Sequence, residues 1–98
     1  MSEATLSIGY NFRIPVDDII AIVAINSAPI KRIIQSARDE ERLESCTKGK
    51  KTRSAIIMRD NSVYLSAFTA DSLANRLQSA YLMSKVLSAG VRWLNPDK

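Results

Sequence analysis

The fold is decided by the stretch Ile19-Ile-Ala-Ile-Val-Ala-Ile25 and, after Asn26, by Ser27-Ala-Pro-Ile-Lys-Arg-Ile-Ile-Gln-Ser-Ala-Arg38. The first part is an apolar run rich in β-branched residues and bounded by polar ones, which predicts a central, buried strand. The second part has a serine in the N-cap position and a proline in the first turn, a pattern typical of a helix start. A strand and a helix in direct succession predict a domain that mixes α and β structure.

The predicted helix has two distinct faces. Successive residues advance by about 100° around a helix, so residues three and four apart share a side. The apolar side, which we expect to pack on the core, consists of Ile30, Ile33, Ile34 and Ala37. A neighbouring cationic stripe consists of Lys31, Gln35, Arg38 and Arg42. The helix is therefore expected to pack by one side and to offer positive charge on another.

Further strands and one more helix are predicted on either side of this stretch. The other strand-like segments are residues 5–8, 43–47, 52–58 and 63–68, of which the last two are expected to form a hairpin. Residues 10–16 contain Asn11 and Pro15, which predicts an irregular loop. A second helix is expected to begin at Ala70, after the N-cap Thr69, and to end at Gly90. The prediction is an α+β fold with a small mixed or antiparallel sheet of about five short strands and two helices.

Length, composition and cysteine content set the broad class. A chain of 98 residues with 46% hydrophobic and 24% charged residues is typical of one globular domain, and a chain this short gains stability from oligomerisation. The single cysteine cannot form an intrachain disulfide, and no basic-then-apolar signal segment opens the chain, which predicts a reduced, cytoplasmic protein. The longest apolar run is far shorter than the ~20 residues of a membrane span. The sequence also shows no basic amphipathic helix with large apolar residues on its exposed face, so we expect no contact with a membrane.

Positive charge is concentrated in the middle third of the chain. Residues 31–59 carry nine Lys and Arg against four acids, whereas the remaining residues sum to minus one, within a net charge of +4. At the centre of this region, Lys48-Gly-Lys-Lys-Thr-Arg53 places four cations around one glycine between two predicted strands. Charge concentrated in this way attracts polyanions more effectively than charge that is spread evenly. This segment is the leading candidate for the working surface.

The sequence offers little to catalysis. It has no histidine, so a common general base and metal ligand is missing, and Cys46 has no imidazole partner to activate it. The adjacent Asp17 and Asp18 have no further acids at ligand spacing, and Gly49-Lys-Lys-Thr52 departs from the spacing of a phosphate-binding P-loop. We therefore predict no enzyme activity, no metal, no cofactor and no small-molecule substrate, with Cys46 as a reduced, partly buried structural thiol.

Duplex DNA is the polyanion that fits this pattern best. All the aromatic residues lie outside residues 31–59, which disfavours the base stacking used on single strands, and Gln35 is the one candidate for base reading amid the cationic stripe. Contact with phosphates is therefore expected to matter more than contact with bases. Two alternatives stay open: a basic interaction protein that docks an acidic protein partner, and an RNA-binding module.

Residues 27–53 also carry a family resemblance. Ser27-Ala-Pro-Ile-Lys-Arg32, followed by Gly49-Lys-Lys-Thr-Arg53, resembles the RemA family of bacterial extracellular-matrix regulators, and the likeness extends over roughly residues 6–77. The resemblance implies a small α+β DNA-binding protein, partly similar to LytTR-type domains. It also implies assembly into a homo-oligomeric ring that lays double-stranded DNA along a cationic rim to activate matrix genes. Residues 1–77 would form this domain, and residues 78–98 an extension, helical to about residue 89, packed on the domain or on a neighbouring subunit.

Carried over by position, the resemblance assigns DNA contact first to Lys50, Lys51 and Arg53. Relatives usually have arginines in place of the two lysines; phosphate contact survives this change, but bidentate guanine contact does not. Relatives also tend to have a basic residue where this chain has Asp18, and Arg13 is the candidate to substitute for it. The complete set of predicted DNA-binding residues is Lys50, Lys51, Arg53, Lys48, Arg13, Lys31, Arg32 and Arg38.

Overall fold

A computed structural model describes the backbone of residues 4–89 and the side chains of residues 4–82. Its elements are β1 (Thr5–Gly9), β2 (Phe12–Pro15), a 3-10 turn (Val16–Asp18), β3 (Ile19–Ala24), α1 (Ala28–Asp39), β4 (Leu43–Ser45), β5 (Ser54–Met58), β6 (Val63–Ser66) and α2 (Ala70–Ala89). The α+β class is confirmed. The described residues contain six strands rather than about five, and these form a two-stranded sheet of β1 and β2 and a four-stranded sheet.

The four-stranded sheet has the order β3-β5-β6-β4. The predicted hairpin of β5 and β6 is confirmed, and β4 runs parallel to β6 on its far side. The expectation of a central, buried strand at 19–25 is wrong, because β3 lies at the edge and pairs with β5 alone. A register shift between Ile19 and Ala21 turns the side chain of Ile20 outward, leaving it 59% exposed. Apolar composition identified the strand but not its position in the sheet.

Each face of the four-stranded sheet covers a separate core. Successive residues of a strand point to opposite faces, and Ile56 accordingly packs with Leu6 and Leu73 while Ala55 packs with Ala37. One face is therefore covered by the β1–β2 sheet and α2, and the other by α1. The hydroxyl of the buried Ser66 links two layers by donating to the Ile8 carbonyl oxygen at 2.9 Å. The sheet is thus held on both sides, which fixes the positions of the loops at its ends.

The expectation of an irregular loop at 10–16 is wrong, because residues 12–15 form β2. The chain reverses through a two-residue turn, Tyr10-Asn11, in which both residues have positive φ (51° and 71°). This geometry is typical of the tight turns whose twist suits antiparallel strands. Pro15 is tolerated at the end of β2, where the strand finishes. The alternation of Phe12, Arg13 and Ile14 was the missed signal for a strand.

The first helix begins as predicted, but it ends before Arg42, the last residue of the predicted cationic stripe. Ser27 is the N-cap and its hydroxyl accepts a hydrogen bond from the Ile30 amide at 3.4 Å. The helix ends at Asp39, and Glu41, with φ 58°, reverses the chain. Arg42 therefore lies outside the helix, and its inclusion in the stripe is wrong. Its guanidinium instead donates to the Glu40 carboxylate at 2.6 Å and to the backbone carbonyl of the β5–β6 turn.

The second helix is also capped as predicted. The Thr69 hydroxyl accepts a hydrogen bond from the Ser72 amide at 3.1 Å, and Leu73 is buried on the inner side. α2 continues without a break across residues 77 and 78, so the division into residues 1–77 and 78–98 stays a prediction. The predicted stop at Gly90 lies outside the described residues. Within the described part of the chain, neither helix has the length and apolarity needed to cross a membrane.

Candidate nucleic-acid interface

The two ends of the four-stranded sheet differ in what surrounds them. At one end, here called the loop end, β3, β4 and β6 finish and β5 begins, so the connection between β4 and β5, residues 46–53, crosses this end. At the other, here called the turn end, β3 begins after Asp17 and Asp18, and the turn Arg59–Ser62 joins β5 to β6. Residues 46–53, here called the basic loop, contain all four cations of the sequence motif.

The basic loop is fixed to the sheet at both of its ends. The Cys46 amide donates to the Leu65 carbonyl oxygen and the Arg53 amide donates to the Ser66 carbonyl oxygen, both at 2.9 Å. Between these anchors, Lys48 and Gly49 adopt positive φ (52° and 81°), which produces a tight reversal of the chain. The four cationic side chains of the loop are exposed. The loop therefore presents positive charge from a defined backbone.

A cleft at the loop end collects cations from separate parts of the chain. Its volume is about 460 Å³. Its lining residues are Ala24, Ile25, Asn26, Lys31, Lys51, Thr52, Arg53, Thr69, Ala70 and Asp71. Lys31 comes from the first turn of α1, Lys51 and Arg53 from the basic loop, and Asp71 from the first turn of α2. Three cations thus face one carboxylate, which leaves the cleft positive.

The cations of the cleft are not neutralised within the subunit. In residues 4–82, the ion pairs are Arg42 with Glu40 at 2.6 Å and Arg59 with Asp18 at 3.9 Å, and both lie towards the turn end. Over the same residues, Lys31, Lys51 and Arg53 make no side-chain hydrogen bond or ion pair. Exposed and unpaired cations remain available to an external anion such as a phosphate.

The rest of the predicted stripe on α1 does not join the cleft. Arg38 is seven residues beyond Lys31, about 10 Å further along the helix axis towards the turn end. The Arg38 guanidinium donates to the side-chain oxygen of Gln35 at 3.3 Å, and the Gln35 amide donates to Asp39 at 2.9 Å. Gln35, the candidate for base reading, is therefore held within the helix. Arg32 is exposed on another side of the same helix.

Arg13 and Asp18 lie in other parts of the fold. Arg13 is on β2, in the two-stranded sheet, and its guanidinium donates to the Thr5 hydroxyl at 2.9 Å. Asp18 is at the turn end, where its backbone carbonyl accepts from the Arg59 amide at 2.7 Å. Since β3 and β5 separate Asp18 from the basic loop, a single subunit cannot bring position 18 to the cleft. Any joint action of these two places requires a second subunit.

The environment of Cys46 does not suit a nucleophile. Cys46 is fully buried, and this burial, together with the nearby Glu44 carboxylate, raises the pKa of its thiol from 9.0 to about 11. A thiol that holds its proton so firmly is a poor nucleophile. Among the described residues, no group of three or more Cys, Asp or Glu side chains is placed to hold a metal ion.

Sequence reasoning missed the contribution of α2 to this cleft. Thr69, Ala70 and Asp71 line the cleft, and the guanidinium of Arg76 lies over the Phe68 ring at 4.5 Å, close to the same end. The capping pattern at Thr69 was visible in the sequence. Thr69 lies beside Lys51 because β6 returns the chain to the loop end of the sheet. No local sequence pattern reveals this return.

Comparison with known proteins places this chain in a family. The family model described as extracellular matrix regulatory protein A-like matches residues 5–77. This chain belongs to the RemA-like family. The predicted resemblance is confirmed.

Curated relatives of this RemA-like chain cover most of its length. A protein of Bacillus cereus is 41% identical over 85 residues, which are 87% of this chain and 98% of the relative. A protein of Bacillus cytotoxicus is 43% identical over 79 residues, covering 81% and 91% of the two chains. A protein of Desulfosudis oleivorans is 45% identical over 71 residues, covering 72% and 73%. Each of the three carries the name "Putative regulatory protein".

Proposed function

We propose that this RemA-like protein is an oligomeric transcriptional regulator that binds double-stranded DNA by its phosphate backbone and acts in the bacterial cytoplasm. The observation that carries the proposal is the convergence of Lys31, Lys51 and Arg53 on one cleft, with no internal partner for any of these side chains in residues 4–82. Lys48 and Lys50 extend the same cationic surface along the basic loop. The proposal assigns no catalytic activity to the protein.

Phosphate contact explains why the positions are lysines as well as arginine. A lysine ammonium is a compact point charge that suits a phosphate oxygen from many directions, whereas guanine recognition uses the planar fork of an arginine. With Lys50 and Lys51 at the loop, affinity is expected to depend weakly on sequence. Selectivity for particular sites would then come from DNA shape or from other contacts.

A single subunit offers too few contacts for tight binding. Its cleft and basic loop supply about four or five phosphate contacts, each screened by salt. We propose that the subunits assemble into a closed ring, as the resemblance implies, and repeat these contacts along the DNA. Linked contacts raise avidity by ~10²–10⁴ where the DNA can follow the rim. Regulation of matrix or biofilm genes is the corresponding biological role.

Charge-matched variants at the two ends of the sheet test the proposal. Lys51→Gln removes one cation from the cleft, and Arg59→Gln removes one cation from the turn end, so the net charge falls equally in both. We expect Lys51→Gln to weaken binding to duplexes of unrelated sequence by a similar factor and to reduce the salt dependence of log K by about one unit. Arg59→Gln should change neither quantity. The measurement is fluorescence anisotropy of labelled duplexes at several salt concentrations.

Three results would contradict the proposal. Equal losses in the two variants would mean that net charge, rather than the cleft, determines binding. A loss confined to one duplex sequence would mean base reading instead of phosphate contact. Tighter binding to an RNA duplex, or to an acidic protein with no affinity for duplex DNA, would favour the two alternatives left open by the sequence.

A further inference from the structure

The turn between β1 and β2 holds a tyrosine in an unusual backbone conformation. Tyr10 has φ 51°, in the left-handed region, and its side chain is 43% exposed. Bulky residues rarely adopt this conformation because the Cβ atom approaches the backbone, whereas glycine and asparagine adopt it readily. The next residue, Asn11 with φ 71°, matches this preference, but Tyr10 does not.

No contact within the described residues offsets the cost of the unfavourable backbone conformation of Tyr10. Within residues 4–82, the Tyr10 hydroxyl has no hydrogen-bond partner, and the ring is absent from both buried clusters of the core. An aromatic ring that is strained in the backbone, exposed and unused by the core is better explained by an external contact than by stability.

The turn lies at the loop end of the sheet, beside the start of the basic loop. The carbonyl of Ile8 accepts a hydrogen bond from the Ser66 hydroxyl at 2.9 Å, at the end of β6. A Cβ atom at Gly9 would lie 3.7 Å from the Phe68 ring and 3.8 Å from the Cys46 carbonyl oxygen. The residue that follows Gly9 is Tyr10. The fold thus brings an aromatic ring to the cationic end, although the sequence keeps every aromatic residue away from the cations.

We propose that the Tyr10-Asn11 turn is a second, uncharged contact to duplex DNA, in which the turn enters a groove and the Tyr10 ring packs against sugar and base edges. The major groove is wide enough for a two-stranded β-ribbon of this kind. This inference rests on the proposed function, because the basic loop would hold the flanking phosphates. The Tyr10-Asn11 turn would supply an uncharged contact, which phosphate binding by lysines alone lacks. The Asn11 side chain adds an amide that can pair with the edge of a base.

The variant Tyr10→Asn separates a role in binding from a role in folding. Asparagine accepts positive φ, so the urea midpoint should rise, while the affinity for duplex DNA should fall about tenfold through loss of the ring. The slope of log K against log salt should stay unchanged, because no charge is removed. Tyr10→Phe should retain the affinity. Lys51→Gln serves as the matched contrast, since it lowers the slope without relieving the turn.

Each other outcome identifies which idea fails. Wild-type affinity in Tyr10→Asn would overturn the second contact but would not affect the proposed phosphate contacts. A lower urea midpoint in Tyr10→Asn would show that the ring stabilises the fold, and this result would also overturn the second contact. A change of molecular mass in light scattering assigns the ring to a subunit contact instead of DNA. Absence of duplex binding by the wild-type protein overturns the proposed function and this inference together.

Discussion

In the described part of the chain, Cys46 is a residue whose protonation is linked to the fold. Its thiol is fully buried directly after β4, at the start of the basic loop, and its amide anchors the loop to the Leu65 carbonyl oxygen. The sequence predicted a reduced, partly buried structural thiol at this position; in the structure the thiol is free and fully buried. The exact degree of burial could not be predicted, because β1 and β6, which are distant in sequence, approach Cys46 only in the folded chain.

The raised pKa of Cys46 predicts a loss of stability at high pH. The folded thiol has a pKa of about 11, above the ordinary 9.0, so the folded state holds its proton more tightly than the unfolded state does. The contribution is complete below pH 9 and is lost as the pH rises through 11, with a magnitude of at most roughly 3 kcal/mol.

Urea denaturation of the wild type and of Cys46→Ala between pH 8 and 11 measures this contribution. All other side chains are the same in both proteins, so the difference between the two curves isolates the thiol. We expect the wild type to lose stability more steeply than the variant as the pH rises. Parallel curves would show that Cys46 is not protonated more strongly in the folded state.

The basic loop is an element whose shape depends on its backbone more than on its side chains. Its motif and its position between two strands were predicted from the sequence. The two strands it joins are not neighbours, however, because β6 lies between β4 and β5. That order depends on the parallel pairing of β4 with β6, which leaves no local signal in either strand. The same limitation explains why the edge position of β3 was missed.

Substitutions at Gly49 test the conformation of the loop. Gly49 has φ 81°, and a Cβ atom there would meet no atom within 4 Å, so any cost arises from the backbone alone. We expect Gly49→Ala to lower the free energy of unfolding by ~1 kcal/mol and Gly49→Asn to lower it by less, because asparagine accepts positive φ. Chemical denaturation compares the two. Equal stability of both variants with the wild type would mean that the loop does not hold this turn in solution.

Across the whole molecule, positive charge is distributed unevenly between the two ends of the sheet. Residues 31–59 were predicted to be the basic part of the chain, but the fold sends Arg38, Arg42 and Arg59 towards the turn end and gathers Lys31, Lys51 and Arg53 at the loop end. Counting charges along the sequence therefore identified the cationic region but not which of its cations meet at the loop end. The direction in which α1 crosses the sheet decides which of its cations reach the cleft.

Salt dependence tests whether several subunits bind one DNA. Each phosphate contact contributes about −0.9 to the slope of log K against log salt. One subunit with its cleft and basic loop therefore reaches a slope of about −4, and an assembly that binds through several subunits should exceed it. The titration uses a long duplex, with the molecular mass recorded by light scattering in the same buffers. A slope of about −4 or weaker from an assembled protein would show that one subunit binds at a time.

The cleft is lined by Lys31 near the start of α1, by Lys51 in the basic loop and by Thr69 at the N-cap of α2. These residues are far apart along the chain, and they meet only after β5 has paired with β3 and β6 has closed against β4. Pairings between distant segments form slowly and cooperatively during folding. A partly folded chain would carry every lysine of the motif without the cleft. Under the proposed function, affinity for DNA would therefore also report the completion of folding, and a newly made subunit would bind DNA only after its core had closed.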